Sequence, residues 1–431
     1  MVLWDGGVET VVAKSGKAEL LPPVLREFLW VTVGLSVVSA GYCLVMLLMF
    51  HRSYPYVWPF FLPDMRFSDF FVYVNKFPLF HQAAFFTTGF PFTYPAPMAL
   101  IYRVFFLLGD TVDLCAFLTV LSLAFVVPAV LFGRALAKRG LSGKAAMVVA
   151  GVGLLLSWPV LVVFDRGNVE VFVWVALAIG TWAYAREKEW TAAAMFGVAA
   201  SLKLFPFVYL ALFLTRRGYK KLVFGVLVFF VVTLISLAVL GPTVPVAYKG
   251  ISAGLQFFDK NYTATFLPDE TGFDHSLLAF SKVIYGVIAG SYQTETIQKM
   301  VSVYFTVAAI AGLLLYAVRI RKLPWTNQLL ALTIIAISFT PFSGDGTLVH
   351  LYYAFAVCCF LAIDAWRRNV DVPGLRVIFL CFAYLFSTES FYVFYGQRYE
   401  GQAKCFVLMI LLVFALRYPL GEGEPTEIML A

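Results

Sequence analysis

Charge is what this sequence has least of. Asp, Glu, Lys and Arg make up 13% of its 431 residues, about half the share of a soluble domain. That is too little to cover a globule of this length with polar groups. Histidine is nearly absent, with four residues, His51, His81, His275 and His350. The six cysteines (Cys43, Cys115, Cys358, Cys359, Cys381 and Cys405) all sit inside apolar runs. They show no CxxC or Cys/His spacing, which argues against a zinc site or a disulfide framework and leaves them as small apolar side chains. No internal repeat and no soluble domain is visible. The net charge is +7, but no basic stripe is long enough to follow a nucleic-acid backbone.

What is abundant is apolar: 61% of the residues are hydrophobic and 17% aromatic. A bilayer removes the need for a polar coat, and a span needs about 20 apolar residues, so this length predicts an all-α polytopic bundle of about ten full spans. The apolar runs lie near 28–50, 112–136, 145–164, 171–184, 222–240, 301–318, 329–339, 350–363, 377–386 and 404–416. Basic clusters alternate with them: Lys14, Lys17 and Arg26; Arg134, Lys138 and Arg139; Arg186 and Lys188; Arg216, Arg217, Lys220 and Lys221; Arg319, Arg321 and Lys322; Arg367 and Arg368; Arg417. These mark the cytoplasmic side. The first run is too long for a cleavable signal and reads as a retained span.

The stretch 190–214 lies between two cytoplasmic clusters and cannot cross once. A re-entrant pair of short helices, broken near Lys203 and Pro206, resolves the count. The organisation expected is a cytoplasmic segment 1–27, a single transmembrane domain 28–418 and a cytoplasmic tail 419–431. Two extracytoplasmic segments, near 51–110 and 241–297, hold interfacial helices and turns.

With that topology all four histidines fall outside, as do Asp64, Asp69, Asp165, Glu170, Asp274 and Asp345. Ionisable groups near membrane depth are functional candidates. Asp69 sits among aromatics in the segment Arg66 to Tyr73. There it can take a proton from a substrate hydroxyl, or Ser68 or Asp69 can cap an interfacial helix. The tip Asp165-Arg166-Gly167-Asn168-Val169-Glu170 can bind an anion or a sugar, or close as a capped turn with Asp165 and Arg166 paired. Lys203 is an isolated ammonium in an apolar stretch; a phosphate would compensate it, or its stem can snorkel to the interface. His350 follows Gly344-Asp345-Gly346-Thr347 and can hold a phosphate or leaving group.

In chain order these pieces are Ser68-Asp69-Phe70 with Tyr73, the pair Tyr94-Pro95, Asp165-Arg166-Gly167-Asn168-Val169, and Ala199 to Pro206 around Lys203, followed by Arg216-Arg217. Asp274-His275-Ser276-Leu277 and the turn leading to His350 complete the series. In that order, from about Leu29 to Leu416, the chain resembles glycosyltransferase family 87 of the GT-C membrane enzymes, which includes polyprenol-phosphate-mannose-dependent mannosyltransferases. The resemblance implies a GT-C-like bundle in which Asp69 is the general base. Lys203 and His350 hold the donor phosphate, with Arg66 assisting. Tyr73, Tyr94, Asp165, Arg166, Asn168 and His275 are the further substrate-binding candidates.

The implied donor is a polyprenyl-phosphate hexose, with mannose favoured, and the acceptor a hydroxyl on a lipid or glycan. Transfer inverts the anomeric centre in one displacement and uses no metal or other cofactor; no DxD motif is placed to bind a metal. A monomer in the plasma membrane, with its site facing outside, is expected. Asp274 and His275 stand where the family usually has Asn and Gln, and the turn before His350 lacks a common Trp, which leaves sugar and acceptor open. The competing class is a lipid or solute transporter or flippase. That would show polar residues along a full path, whereas here they gather at one end of the spans.

Overall fold

In hydrocarbon nothing but the chain itself can satisfy the backbone, so the apolar runs become helices. The computed structural model describes residues 21–53, 56–58, 66–107, 110–388, 393–394 and 397–421. Lys14, Lys17, Asp64 and most of the C-terminal tail lie outside these described residues. The described elements are helical, apart from one short antiparallel pairing of Val393–Phe394 with Gln397–Arg398.

Among the described residues, five helices are long and apolar enough to cross a membrane: Pro23–Leu48, Val112–Lys138, Tyr219–Leu240, Thr294–Lys322 and Asp345–Arg368. A sixth crossing counts if Gly143–Leu155 and Trp158–Arg166, bent by 48°, form one span. Length therefore supports five or six spans, where the apolar runs predict about ten. The difference lies in helices such as Glu170–Ala185, Trp325–Ser338 and Leu375–Phe386, of 16, 14 and 12 residues. At 1.5 Å per residue these are shorter than the hydrocarbon core.

The stretch 190–214 does turn back. Helix Glu189–Leu202 stops where Lys203 adopts extended backbone, and a 3-10 helix, Phe205–Ala211, follows with Pro206 in its first turn. The Phe196 ring packs on Tyr209 at 5.6 Å and on Phe213 at 6.1 Å, so the second arm lies against the first. Where this pair begins and ends, Glu189 meets Lys221 at 2.7 Å and Arg216 at 3.7 Å. The arms are held to helix Tyr219–Leu240 by close backbone approach: a Cβ on Gly197 would lie 2.3 Å from the Gly225 carbonyl oxygen.

Burial separates inner from outer helices. Every residue of Trp325–Ser338 is buried, whereas Thr294–Val318 buries only Ile297 and Val301. A helix that is apolar all round and largely uncovered is suited to lipid contact. One contiguous core runs from Leu25 to Leu420.

The segment after residue 66 is not a loose belt. Its aromatics stack on one another and on the bundle, with Tyr73–Phe92 at 4.8 Å and Phe70–Phe117 at 4.6 Å. Lys76 is buried beneath them and donates to the carbonyls of Phe85 and Thr88. This packing gives the short helix Ser68–Phe71 a fixed seat.

Candidate active site

The site is built on the hairpin tip between two apolar helices. Helix Trp158–Arg166 ends with Gly167 in the left-handed region, φ +62°. The Asn168 amide then donates back to the Val163 carbonyl at 2.9 Å and the Gly167 amide to Phe164 at 3.2 Å, a Schellman-type stop. Glycine is needed twice over here, because a Cβ at 167 would also lie 2.9 Å from Phe70 Cβ. The tip thus presses on the segment 67–70, and the Phe67 amide donates to the Asp165 carbonyl at 2.7 Å.

That contact presents Asp69. Its Oδ2 accepts from Asn168 Nδ2 at 2.7 Å, and Oδ1 lies 3.2 Å from an Arg166 nitrogen. The Tyr102 hydroxyl donates to its backbone carbonyl at 2.9 Å. The residue is held at three points, two of them on the carboxylate, yet keeps 24% of its side-chain surface exposed. A carboxylate has about four acceptor positions, so one bond to each oxygen leaves capacity for a substrate hydroxyl.

The second half of the site begins two residues after Asn168, whose Oδ1 accepts the Glu170 amide at 2.8 Å. Glu170 opens helix Glu170–Ala185 with its carboxylate buried. His350 Nε2 donates to Oε1 at 2.7 Å, and the Lys203 ammonium donates to Oε2. His350 ends the 3-10 turn Asp345–His350, has no exposed side-chain surface and packs edge-on to Phe205 at 5.1 Å. Its Nδ1 has no hydrogen-bond partner among the described residues, and the residue lines a small void with Trp174, Tyr209 and Tyr353. Lys203 is 24% exposed, 5.9 Å from the centre of the Tyr94 ring.

Asp69, Arg166, Asn168, Tyr94, Lys203 and His350 are therefore linked in one neighbourhood, and three features differ from the sequence reading. Lys203 is not an isolated ammonium, because Glu170 already balances it. Arg166 forms its ion pair with Asp69; Arg66 is exposed and its charge acts on Asp165. Neither Ser68 nor Asp69 caps the short helix, since Phe67 precedes it at φ +53° and Asp69 lies in its first turn.

Tyr73 stands 5.9 Å from Tyr94, ring to ring, but its buried hydroxyl already bonds Thr93 at 2.7 Å. Burial pushes that phenol up to about 12. Asp165 is largely buried and contributes its backbone carbonyl to the seat of Phe67.

His275 belongs to a different cluster. It is fully buried, with Nε2 3.0 Å from Ser343 Oγ and 3.2 Å from Thr347 Oγ1, and Nδ1 3.8 Å from Asp345. Asp345 in turn accepts from Trp158 Nε1 at 2.7 Å and from Lys404 at 2.8 Å, and Lys404 also donates to Glu400 at 2.6 Å. Next to His275, Asp274 accepts from the amides of Ser276 and Ser343, each at 2.9 Å. Burial outweighs those bonds and pushes its carboxyl up to about 7. Burial, with the Lys404 charge adding to it, pushes the His275 ring down to about 3. Among the described residues none of these contacts reaches Asp69 or Lys203.

The sequence placed Glu170 only in a tip that can bind an anion or a sugar, without its partners, and gave Lys404 no role. Each carried a signal: an acid opening an apolar helix requires a partner, and Glu400 with Lys404 has the i,i+4 spacing of a helical ion pair.

A largely helical bundle with apolar outer surfaces, carrying a held carboxylate and a carboxylate-balanced lysine where three helix ends meet, defines a polytopic membrane protein with an ionic site. Comparison with known families matches residues 92–349, more than half of the chain, to Glycosyltransferase family 87. The chain belongs to that family and is a membrane glycosyltransferase. The matched range includes Arg166, Asn168, Glu170 and Lys203; Asp69 precedes it and His350 directly follows it. No curated protein and no solved structure matches the chain.

Proposed function

We propose that the protein transfers a hexose, mannose in the favoured case, from a polyprenyl-phosphate donor to a hydroxyl of a lipid or glycan acceptor. Transfer takes place on the extracytoplasmic face of the plasma membrane. The observation that carries this reading is the pairing of a partly exposed, oriented carboxylate with a partly exposed lysine in one ionic cluster.

The acceptor hydroxyl gives its proton to Asp69 while its oxygen attacks the anomeric carbon from the face opposite the phosphate. The bond from that carbon to the phosphate oxygen breaks, and its electron pair leaves with the phosphate. Charge therefore grows on the phosphate in the transition state, where the Lys203 ammonium can meet it. One displacement inverts the centre, so one base and one cation suffice. Tyr94, between the two, offers a ring face to the sugar.

The test is transfer of labelled hexose from decaprenyl-phosphate mannose, glucose or galactose by the purified full chain, with total lipid extract of the source cells as acceptor. Asp69→Asn is expected to lower turnover by at least about 100-fold, the lower end of what a positioned base contributes. Full activity in Asp69→Asn removes the base assignment, and failure of the wild type to consume any of the three donors removes the reading.

A further inference from the structure

Glu170 is the most deeply buried acid of the site and has no place in the displacement just described. Its two oxygens are divided between two donors, Oε1 to the His350 ring and Oε2 to the Lys203 ammonium. Those two residues come from elements far apart in sequence, the break after helix Glu189–Leu202 and the turn Asp345–His350. Lys203 sits on extended backbone between two helical arms, on a four-carbon stem that its own segment does not orient. The surrounding walls are aromatic: Phe205 against His350 and Tyr94 beside Lys203. Among the described residues, the Glu170 carboxylate is the acceptor of both the Lys203 ammonium and His350 Nε2.

We infer that Glu170 is a positioning residue, which fixes the Lys203 ammonium at the place where the leaving phosphate develops charge and braces it against His350. The physical reason is the cost of rearrangement. A cation that has to be gathered at the moment of reaction stabilises the transition state less than one already in place. A buried acid balanced by two partners supplies that place without leaving an unpaired charge. His350 then acts on the phosphate through Glu170, since its Nε2 is taken and its ring is fully covered. The same carboxylate explains how a lysine is tolerated here before any donor arrives.

This inference rests on the function proposed above and is tested so that the two can fail separately. The measurement is kcat and donor KM for decaprenyl-phosphate mannose, with the same lipid extract, for wild type, Glu170→Gln, Lys203→Met and the double variant. Asp69→Asn is the inactive reference. Glu170→Gln keeps the shape and removes the charge. It is expected to lower kcat at least about tenfold, below the full loss of an electrostatic donor, while donor KM changes less than about threefold, the signature of a transition-state interaction.

Because Glu170 acts through Lys203, adding Glu170→Gln to Lys203→Met is expected to change kcat by less than about twofold. The double variant removes both charges of the pair, so this comparison decides the matter even if Glu170→Gln alone does not fold. Wild-type kcat in Glu170→Gln, or losses that multiply in the double variant, would overturn the inference while an inactive Asp69→Asn leaves the proposed reaction standing. A wild type inactive on this donor and on the glucose and galactose donors overturns both.

Discussion

Asn168 donates from Nδ2 to Asp69 Oδ2 at 2.7 Å. With its oxygen the same side chain accepts the Glu170 amide at 2.8 Å. One amide therefore sets the spacing between the proposed base and the acid that holds Lys203. Replacing it with alanine frees both. Asn168→Ala is expected to lower kcat by up to about 100-fold, the scale of a misplacement near 1 Å. Loss of the cap-like bond should destabilise by about 1 kcal/mol. Asn168→Asp keeps the bond to the Glu170 amide but sets a like charge beside Asp69, so it should recover stability without recovering activity. Thermal unfolding and turnover measured on the same samples separate the two effects.

Gly167→Ala tests the seat of Asp69. Two effects act at this position: the left-handed backbone and a Cβ that would lie 2.9 Å from Phe70. Gly290 shares the first but not the second, with φ +68° and nothing within 4 Å. Gly290→Ala is expected to cost about 1–2 kcal/mol, the backbone penalty alone. Gly167→Ala should cost more and also reduce turnover. Equal losses of stability with unchanged kcat would mean that the tip does not position Asp69.

The buried pair Asp274 and His275 makes a prediction about pH. The Asp274 carboxyl is raised from 3.8 to about 7 by burial, so its contribution is present at low pH and is lost as pH rises across that interval. His275 is lowered from 6.5 to about 3 by burial, so its contribution is present above 6.5 and is lost as pH falls towards 3. Between about pH 4 and 6.5 the two slopes oppose each other. His275→Gln should leave a protein that loses stability as pH rises through this range, and Asp274→Asn one that gains it. The double variant should be nearly flat, like the wild type. Unfolding temperatures from about pH 4.5 to 8 check this, and four parallel curves would refute it.

Lys404 is a fully buried ammonium shared by Asp345 and Glu400. Lys404→Met leaves those acids without their cation and is expected to destabilise by about 3–5 kcal/mol. Adding Glu400→Gln should return part of the loss, because one uncompensated charge is removed. Unfolding temperatures of the single and double variants measure the recovery.

Much of this arrangement was legible in the sequence, and the remainder had a physical reason to be hidden. Asp69, Asn168, Lys203 and His350 announced themselves because polar groups in apolar surroundings need a cause. The turn-back at Lys203 followed from cations at both ends of 190–214 and from Pro206. Partner choice was not legible. Which arginine reaches Asp69, and which acid meets Lys203, depends on helices brought together by packing; Glu170 and Lys203 are neighbours only because helices Glu170–Ala185 and Glu189–Leu202 run side by side. The gap between about ten apolar runs and five or six helices of spanning length has a related reason. Hydropathy reports that a segment avoids water, and a short helix wrapped by protein does so as well as one that crosses the bilayer.

That last point bears on how the molecule is made. Helix Trp325–Ser338 is enclosed on every side, yet part of its enclosure is synthesised after it. Asn327 donates to the carbonyls of Ala415 and Tyr418, and Thr326 to that of Leu420. Until helix Glu400–Arg417 and the residues just after it are made, these side chains have no such acceptors. A ribosome that stops short of residue 400 would release a bundle in which Thr326 and Asn327 lack these bonds.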